Sequence, residues 1–303
     1  MKVPVLSVRG LRKSFRARSD RGRAGAPTEA VAGVDLDLVP GEVLGIVGES
    51  GSGKTTLGRC VLRLTEPSAG TIELNGADFR VLRGRKLRRR RRRLGVVFQD
   101  PYSSLNPRMQ VGNTLAEALR LGSEGPAADI GSRVSQLLER VGLEPHFASR
   151  YPHEMSGGQL QRVAIARALA TAPDVLIADE PVSALDVSVQ AHILNLLMDL
   201  KGQDGLAMLF ISHDLAVVER IADRIAVMYR GEIVESGPTG RLMAHPLHPY
   251  TQALLSAVPS VDPAFARERV RLRNRKGRAH TGGCPLVDRC PVRQDICREE
   301  KPP

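Results

Sequence analysis

The residues Gly48-Glu49-Ser50-Gly51-Ser52-Gly53-Lys54-Thr55 leave this chain few ways to fold. They follow the apolar run Val43-Leu44-Gly45-Ile46-Val47, which reads as a buried strand, and precede a helical pattern from Thr56 to Leu64. A strand, a glycine-rich turn and a helix in that order form the context in which G-x-x-x-x-G-K-[ST] holds phosphate. Glycines let successive backbone N–H groups turn inward, the helix start adds its positive dipole end, and Lys54 supplies a point charge for phosphate oxygens. Thr55 offers a hydroxyl to Mg²⁺, so Gly48 through Thr56 are the candidate phosphate-binding residues.

A second segment far along the chain completes the pattern. In Val175-Leu176-Ile177-Ala178-Asp179-Glu180, four apolar residues place Asp179 at the carboxyl edge of a parallel sheet, where its carboxylate can hold the metal. Glu180, one residue further on, points differently and can reach an attacking water. The two segments together predict that a nucleoside triphosphate is bound and hydrolysed.

Length and composition limit the rest. At 303 residues the chain can hold one large α/β domain with an appendage. No apolar run approaches the roughly 18–20 residues of a membrane span, and Met1-Lys2-Val3-Pro4-Val5 lacks the features of a signal peptide, so cytoplasmic residence is expected. Of the net charge of +11, Arg83 to Arg93 contributes +9 and Arg267 to Arg278 contributes +6, which leaves the remainder near −4. The body is therefore not a basic nucleic-acid-binding surface, and no nucleic acid is expected as partner. For Arg88–Arg93 a solvated helix face or exposed loop stands beside contact with anionic headgroups or a partner.

Short strand candidates alternate with helical stretches: Leu6–Val8, Val43–Val47, Leu94–Phe98, Val175–Ala178, Met208–Ile211 and Ile225–Met228. This alternation predicts an α/β sheet of parallel strands. Arg16 to Thr28, rich in Arg, Gly, Ser and Ala, reads as a surface loop. Between Met109 and Arg150, Leu115, Ala118, Leu119 and then Val134, Leu137, Leu138 and Val141 fall at helical spacing, predicting a helical insertion over about 100–165. After about Thr239 the strand pattern stops and a Pro-, His- and Arg-rich tail begins.

Met155-Ser156-Gly157-Gly158-Gln159 precedes another helical stretch. Alone, its Ser could simply cap that helix. Alongside the other two segments it gives the chain a resemblance to the nucleotide-binding subunit of an ATP-binding-cassette (ABC) transporter, with every motif in order over residues 3 to 260. The resemblance implies a P-loop NTPase core over 1–240 with an inserted helical subdomain, and a C-terminal extension over 241–303. It places Phe15 against adenine, a contact that leaves a core aromatic as the alternative reading. It places Gln99 on Mg²⁺ and the attacking water, Asp186 in a loop crossing a dimer interface, and His213 at the γ-phosphate. It makes Glu180 the base that polarises water. Met155 where leucine is usual, and Thr55 where serine is common, preserve apolar character and hydroxyl respectively.

The family's mechanism needs two cassettes head to tail, with Ser156, Gly157, Gly158 and Gln159 of one closing on the ATP held by the other. Three strings look like the subfamily that imports oligopeptides, dipeptides and, in some members, nickel: Gln99 to Met109, Asp179 to Ser188, and His245 to Thr251. That likeness implies a second ATPase subunit, with a heterodimer favoured, two membrane permeases and an extracytoplasmic solute-binding protein. It puts the chain on the cytoplasmic face of the membrane, with a soluble non-transport cassette as the rival. Cys284, Cys290 and Cys297 are also similar to this subfamily's extension, some members of which hold a [4Fe–4S] cluster. Such a cluster usually takes four thiolates, and the resemblance would place the fourth beyond Pro303, so a cluster, zinc or free thiols all remain open.

Overall fold

The computed structural model describes residues 3–15, 28–122, 129–257, 270–273 and 283–301. Most of the expected loop from Arg16 to Thr28 and of the second basic run lies outside the described residues. Two sheets carry the fold. The first is antiparallel, built from β1 (Leu6–Phe15), β2 (Thr28–Leu38), β4 (Ala69–Leu74) and β5 (Ala77–Asp78) in the order β2-β1-β4-β5. The second has six strands, in the order β10-β9-β3-β8-β7-β6. Its members are β3 (Val43–Val47), β6 (Leu94–Val97), β7 (Val175–Asp179), β8 (Ala207–Ser212), β9 (Arg224–Tyr229) and β10 (Glu232–Pro238).

Every residue of β3, β7 and β8 is buried. Continuous apolar runs of this kind suit parallel strands covered on both faces, and β9, β3, β8, β7 and β6 pair in parallel. The expectation of parallel strands holds for these five and fails elsewhere. β10 runs antiparallel to β9 at the sheet edge, and the whole first sheet is antiparallel. β1 and β2 bury only part of each strand, as a sheet does when one face meets a core and the other meets water.

The period of two along β3 divides the interior. Val43 and Val47 face the helical side, whereas Leu44 and Ile46 join the core beneath the antiparallel sheet and α1 (Lys54–Val61). Between β6 and β7 the chain forms α3 (Pro101–Ser104), α4 (Val111–Gly122), α5 (Ile130–Arg140) and α6 (Gly157–Leu169), so the helical stretch runs a few residues beyond the expected end. Leu115, Leu119, Val134, Leu137 and Leu138 are buried there, as their spacing requires. The basic run forms α2 (Gly84–Arg91), which has no buried residue. α7 (Val187–Asp204) and α8 (Leu215–Ile221) come before β9, and α9 (Thr239–Ala244) and α10 (Pro249–Ser256) follow β10. Cys284, Leu286, Val287 and Cys290 of the tail join the same core as the helical layer.

Gly45 sets how closely α8 approaches the sheet. A Cβ at this position would lie 2.3 Å from Val218 Cγ1 and 3.1 Å from the Ala222 Cβ. The Gly45→Ala variant is expected to lose about 1–3 kcal/mol by overpacking. Urea denaturation checks this, and adding Val218→Ala should recover part of the loss.

Candidate functional site

The parallel strands bring the expected residues to one edge. Gly48 follows β3, Gln99 follows β6, Asp179 ends β7 with Glu180 next, and His213 follows β8. All are carboxyl-terminal ends of strands with a common direction. The phosphate loop is pressed against its neighbours there. A Cβ on Gly48 would lie 2.1 Å from the Met228 carbonyl oxygen, and one on Gly53, whose φ is 108°, would lie 2.1 Å from that of Ala30. Gly51 has open space around it but a φ of 79°, which glycine adopts without strain.

Lys54 begins α1 with 5% of its surface exposed. Its ammonium donates to the carbonyl oxygens of Gly48 at 2.7 Å and Glu49 at 3.0 Å, so it is held within the loop's curve. Burial lowers its pKa, while Glu180, Asp179 and Glu49 act in the opposite direction. Thr55 donates its hydroxyl to Asp179 Oδ1 at 3.1 Å, which sets the two expected metal-binding groups side by side. Burial raises the Asp179 carboxyl above the usual carboxylate range, and a divalent cation would reverse that preference. Thr55 and Asp179 thus present two hard oxygen donors, the chemistry that Mg²⁺ takes.

Glu180 has the left-handed φ of 50°, and its N–H donates to Ile211 O at 2.9 Å. Glu180 Oε1 lies 3.1 Å from His213 Nδ1, which sets the carboxylate and the imidazole in direct polar contact. Ala30, Ser50, Gly51, Gly53, Lys54, Thr55, Thr56 and Glu180 line a cleft of ≈ 180 Å³. Larger hollows of ≈ 640 and ≈ 650 Å³ lie along α2, the first lined by cations of the basic run and the second by cations of that run together with neutral residues. They sit toward the amino-terminal end of β6, away from the carboxylates and the phosphate loop. The smaller cleft is the one whose walls match phosphate and metal chemistry.

Other expected residues stand apart from this cleft. Ser156 caps α6: its Oγ accepts from the Gln159 N–H at 3.3 Å, and its own N–H donates to Gln159 Oε1 at 3.0 Å. A Cβ on Gly158 would meet Val189 Cγ1 at 2.5 Å, so glycine permits α6 to approach α7. Ser156 and Asp186 are exposed, and none of Ser156, Gly157, Gly158, Gln159 or Asp186 lines the phosphate-loop cleft. Phe15 is 46% exposed at the end of β1, with Lys13 Nζ 5.0 Å from its ring centre, so it is not a core aromatic. Sequence reasoning missed Ala30 in the cleft wall and two contacts to Glu49, from Tyr250 and Arg289. Tyr250 stands out in the sequence only as part of its family-like string, and no local pattern marks Arg289.

Among the described residues the three tail thiols have no fourth thiolate beside them. Cys60 is buried in the core beneath the antiparallel sheet, whereas Cys284 and Cys290 belong to the other core. Among the described residues no group of three or more His, Cys, Asp or Glu is placed to hold a metal ion. Burial raises the Cys284 thiol, which disfavours the thiolate that a metal needs.

Comparison with known proteins agrees with this geometry. The family profile described as ABC transporter matches residues 31–183, and that of the oligopeptide/dipeptide transporter C-terminal region matches residues 234–297. A putative peptide import ATP-binding protein of Brucella ovis is 51% identical over 302 residues, covering 99% of this chain and 93% of that one. The glutathione import ATP-binding protein GsiA of Salmonella typhi is 54% identical over 267 residues, which is 88% of this chain and 43% of GsiA. Among solved structures, the dimeric post-hydrolysis state of the ATP-binding cassette MJ0796, bound to ADP and Pi, superposes with a TM-score of 0.69 at 30% identity. That match covers 77% of this chain and 98% of MJ0796. The chain belongs to the ABC transporter family and is an ATP-binding, ATP-hydrolysing cassette.

Glu180→Gln is expected to retain Mg–ATP binding while turnover falls by about 10²–10⁴-fold, because the amide keeps the shape and loses the base. Phosphate release under saturating ATP measures this, and near-normal turnover would remove Glu180 from the role.

Proposed function

We propose that this chain is the ATP-hydrolysing subunit of an importer of oligopeptides or dipeptides, bound peripherally at the cytoplasmic face of the membrane. The observation that carries the catalytic part is the Glu180–His213 pair at 3.1 Å, on the same sheet edge as Lys54 and the Thr55–Asp179 contact. Lys54 and the loop amides bind the β- and γ-phosphates and stabilise charge on the transferring group. Thr55, Asp179 and, from the end of β6, Gln99 would hold Mg²⁺, which would further neutralise that charge. Glu180 accepts a proton from water as its oxygen bonds to the γ-phosphorus and the bond to the β-phosphate oxygen breaks. His213 orients the Glu180 carboxylate and meets the γ-phosphate. Phe15 stacks on adenine.

The Ser156–Gln159 start of α6, exposed at Ser156, supports the second half of the reading. It is pre-formed by its capping box and lies off the chain's own cleft, so it is free to close on a nucleotide held by a second cassette. Asp186 then lies at the junction between the two. Hydrolysis removes the γ-phosphate that bridges both faces, which makes closure a switch. A heterodimer with a second, unequal ATPase is favoured over a homodimer. The domains divide as an ABC core over 1–240, with the helical insertion, and the extension over 241–303. Nickel or another solute is the alternative cargo, and the three tail cysteines are assigned no metal in this reading.

Two permease subunits complete the assembly, supplied by an extracytoplasmic solute-binding protein. A short permease helix docks on the surface after Gln99, where Tyr102 is 55% exposed and Met109 is half-buried. Leu105, in the same segment, is 4% exposed and packs within the helical layer, so it serves folding instead. Tyr102→Ala combined with Met109→Ala should release the permeases on copurification without lowering the cassette's melting temperature. Full retention would place docking elsewhere.

The transport reading is tested in membrane vesicles from a strain lacking this chain, restored with wild type or Glu180→Gln and offered labelled peptides and nickel in parallel. ATP-dependent peptide uptake restored by wild type alone is the expected result. Nickel uptake alone would change the cargo, and no restored uptake of either would contradict the assignment.

A further inference from the structure

The C-terminal extension grips the phosphate loop itself. Tyr250, the second residue of α10, is fully buried, and its hydroxyl accepts the Glu49 N–H at 2.8 Å. Its ring packs against Tyr229 at the end of β9, with centroids 4.5 Å apart and planes tilted by 50°. From the tail, Arg289 Nη1 reaches Glu49 Oε2 at 3.3 Å and the Tyr229 hydroxyl at 3.5 Å. Its guanidinium carbon lies 5.9 Å from the Tyr229 ring centre. Glu49 is therefore held through its backbone by one part of the extension and through its side chain by another.

The same residue touches the cation at the heart of the loop. The Glu49 carbonyl accepts from Lys54 Nζ at 3.0 Å, so the two peptide units of Glu49 connect Tyr250 on one side with Lys54 on the other. A shift of Glu49 would move one of the two loop carbonyls that hold the lysine ammonium. The turn presenting Tyr250 is itself braced. Glu235 of β10 accepts the N–H groups of Leu247 at 2.8 Å and His248 at 3.1 Å, and His248 Nδ1 accepts the Tyr250 N–H at 3.2 Å. In the tail, Cys284 N–H donates to Cys297 O at 2.8 Å, and Lys301 pairs with Glu232 at 2.6 Å. Both anchors thus rest on β10, a strand continuous with the core sheet.

We propose that Tyr250 and Arg289 are positioning residues for the nucleotide site: by fixing Glu49 they hold the phosphate loop in its binding shape, so the cassette's affinity for Mg–ATP depends on docking of its own C-terminal extension. The inference rests on the nucleotide-site reading above. Neither residue touches the reacting atoms, so their removal should act on binding more than on the chemical step. Tyr250→Phe keeps the ring against Tyr229 and deletes only the acceptor for the Glu49 N–H, a part-buried hydrogen bond. Arg289→Gln removes the charge on Glu49, and Arg289→Lys restores it without the planar fork.

The test uses the full chain in its transporter assembly, with Mg–ATP titrated for binding and for steady-state hydrolysis. Tyr250→Phe is expected to raise both Kd and KM for Mg–ATP by about 5–10-fold, a loss of ~1–1.4 kcal/mol, while kcat stays within about twofold of wild type. Arg289→Gln should raise them by roughly 2–5-fold, Arg289→Lys should recover part of that, and Arg289→Gln should add nothing once Glu49→Gln is present. Unchanged Kd and KM in both Tyr250→Phe and Arg289→Gln would overturn the proposal. So would a fall in kcat that tracks a loss of folded protein at constant KM, since that is a structural effect alone. Lys54→Ala separates the two levels of the argument. If it binds Mg–ATP as wild type does, the nucleotide-site reading fails; if it loses binding while the Tyr250 and Arg289 variants do not, only the positioning role fails.

Discussion

The common direction of the central strands is the constraint on which the site depends. Because β3, β6, β7 and β8 run in parallel, their carboxyl ends gather Gly48, Gln99, Asp179, Glu180 and His213 at one sheet edge from positions far apart in the chain. Reversal of any one strand would send its residue to the opposite edge. Complete burial of β3, β7 and β8 between the helical layer and the antiparallel sheet maintains that alignment, since a parallel strand needs cover on both faces.

Within that frame the electrostatics are arranged for a ligand of opposite character to the protein's own groups. Lys54 is buried and held by the carbonyls of Gly48 and Glu49 and the Ser52 hydroxyl, and burial disfavours its charged form. Asp179 is buried beside the neighbouring Glu180 carboxylate, and its proton is correspondingly harder to remove. A triphosphate satisfies the first and a divalent cation the second, so each ligand relieves a penalty that the fold imposes. The loop that brings them together is not self-supporting. Met228 and Ala30 press on its glycines, and the C-terminal extension secures Glu49.

Much of this was legible in the chain, for identifiable reasons. Runs such as Val43–Val47 and Val175–Ala178 are apolar throughout because both faces are covered, and the structure places strands there almost residue for residue. β2, β4 and β10 escaped notice because their exposed faces carry Glu, Asp, Thr, Ser and Gly, which dilutes the apolar signal. The phosphate loop and its carboxylates were readable because their chemistry demands fixed residue types at short spacing. The contacts of Tyr250 and Arg289 with Glu49 span 201 and 240 positions, and no local pattern encodes so long a reach.

The most direct test is electron microscopy of the transporter assembly carrying Glu180→Gln, trapped with Mg–ATP. The account predicts a nucleotide whose γ-phosphate lies between the Lys54 ammonium of this chain and the Ser-Gly-Gly-Gln turn of a second cassette, with Thr55 and Asp179 at the metal. A nucleotide enclosed by one chain alone, or seated away from Lys54, would contradict it.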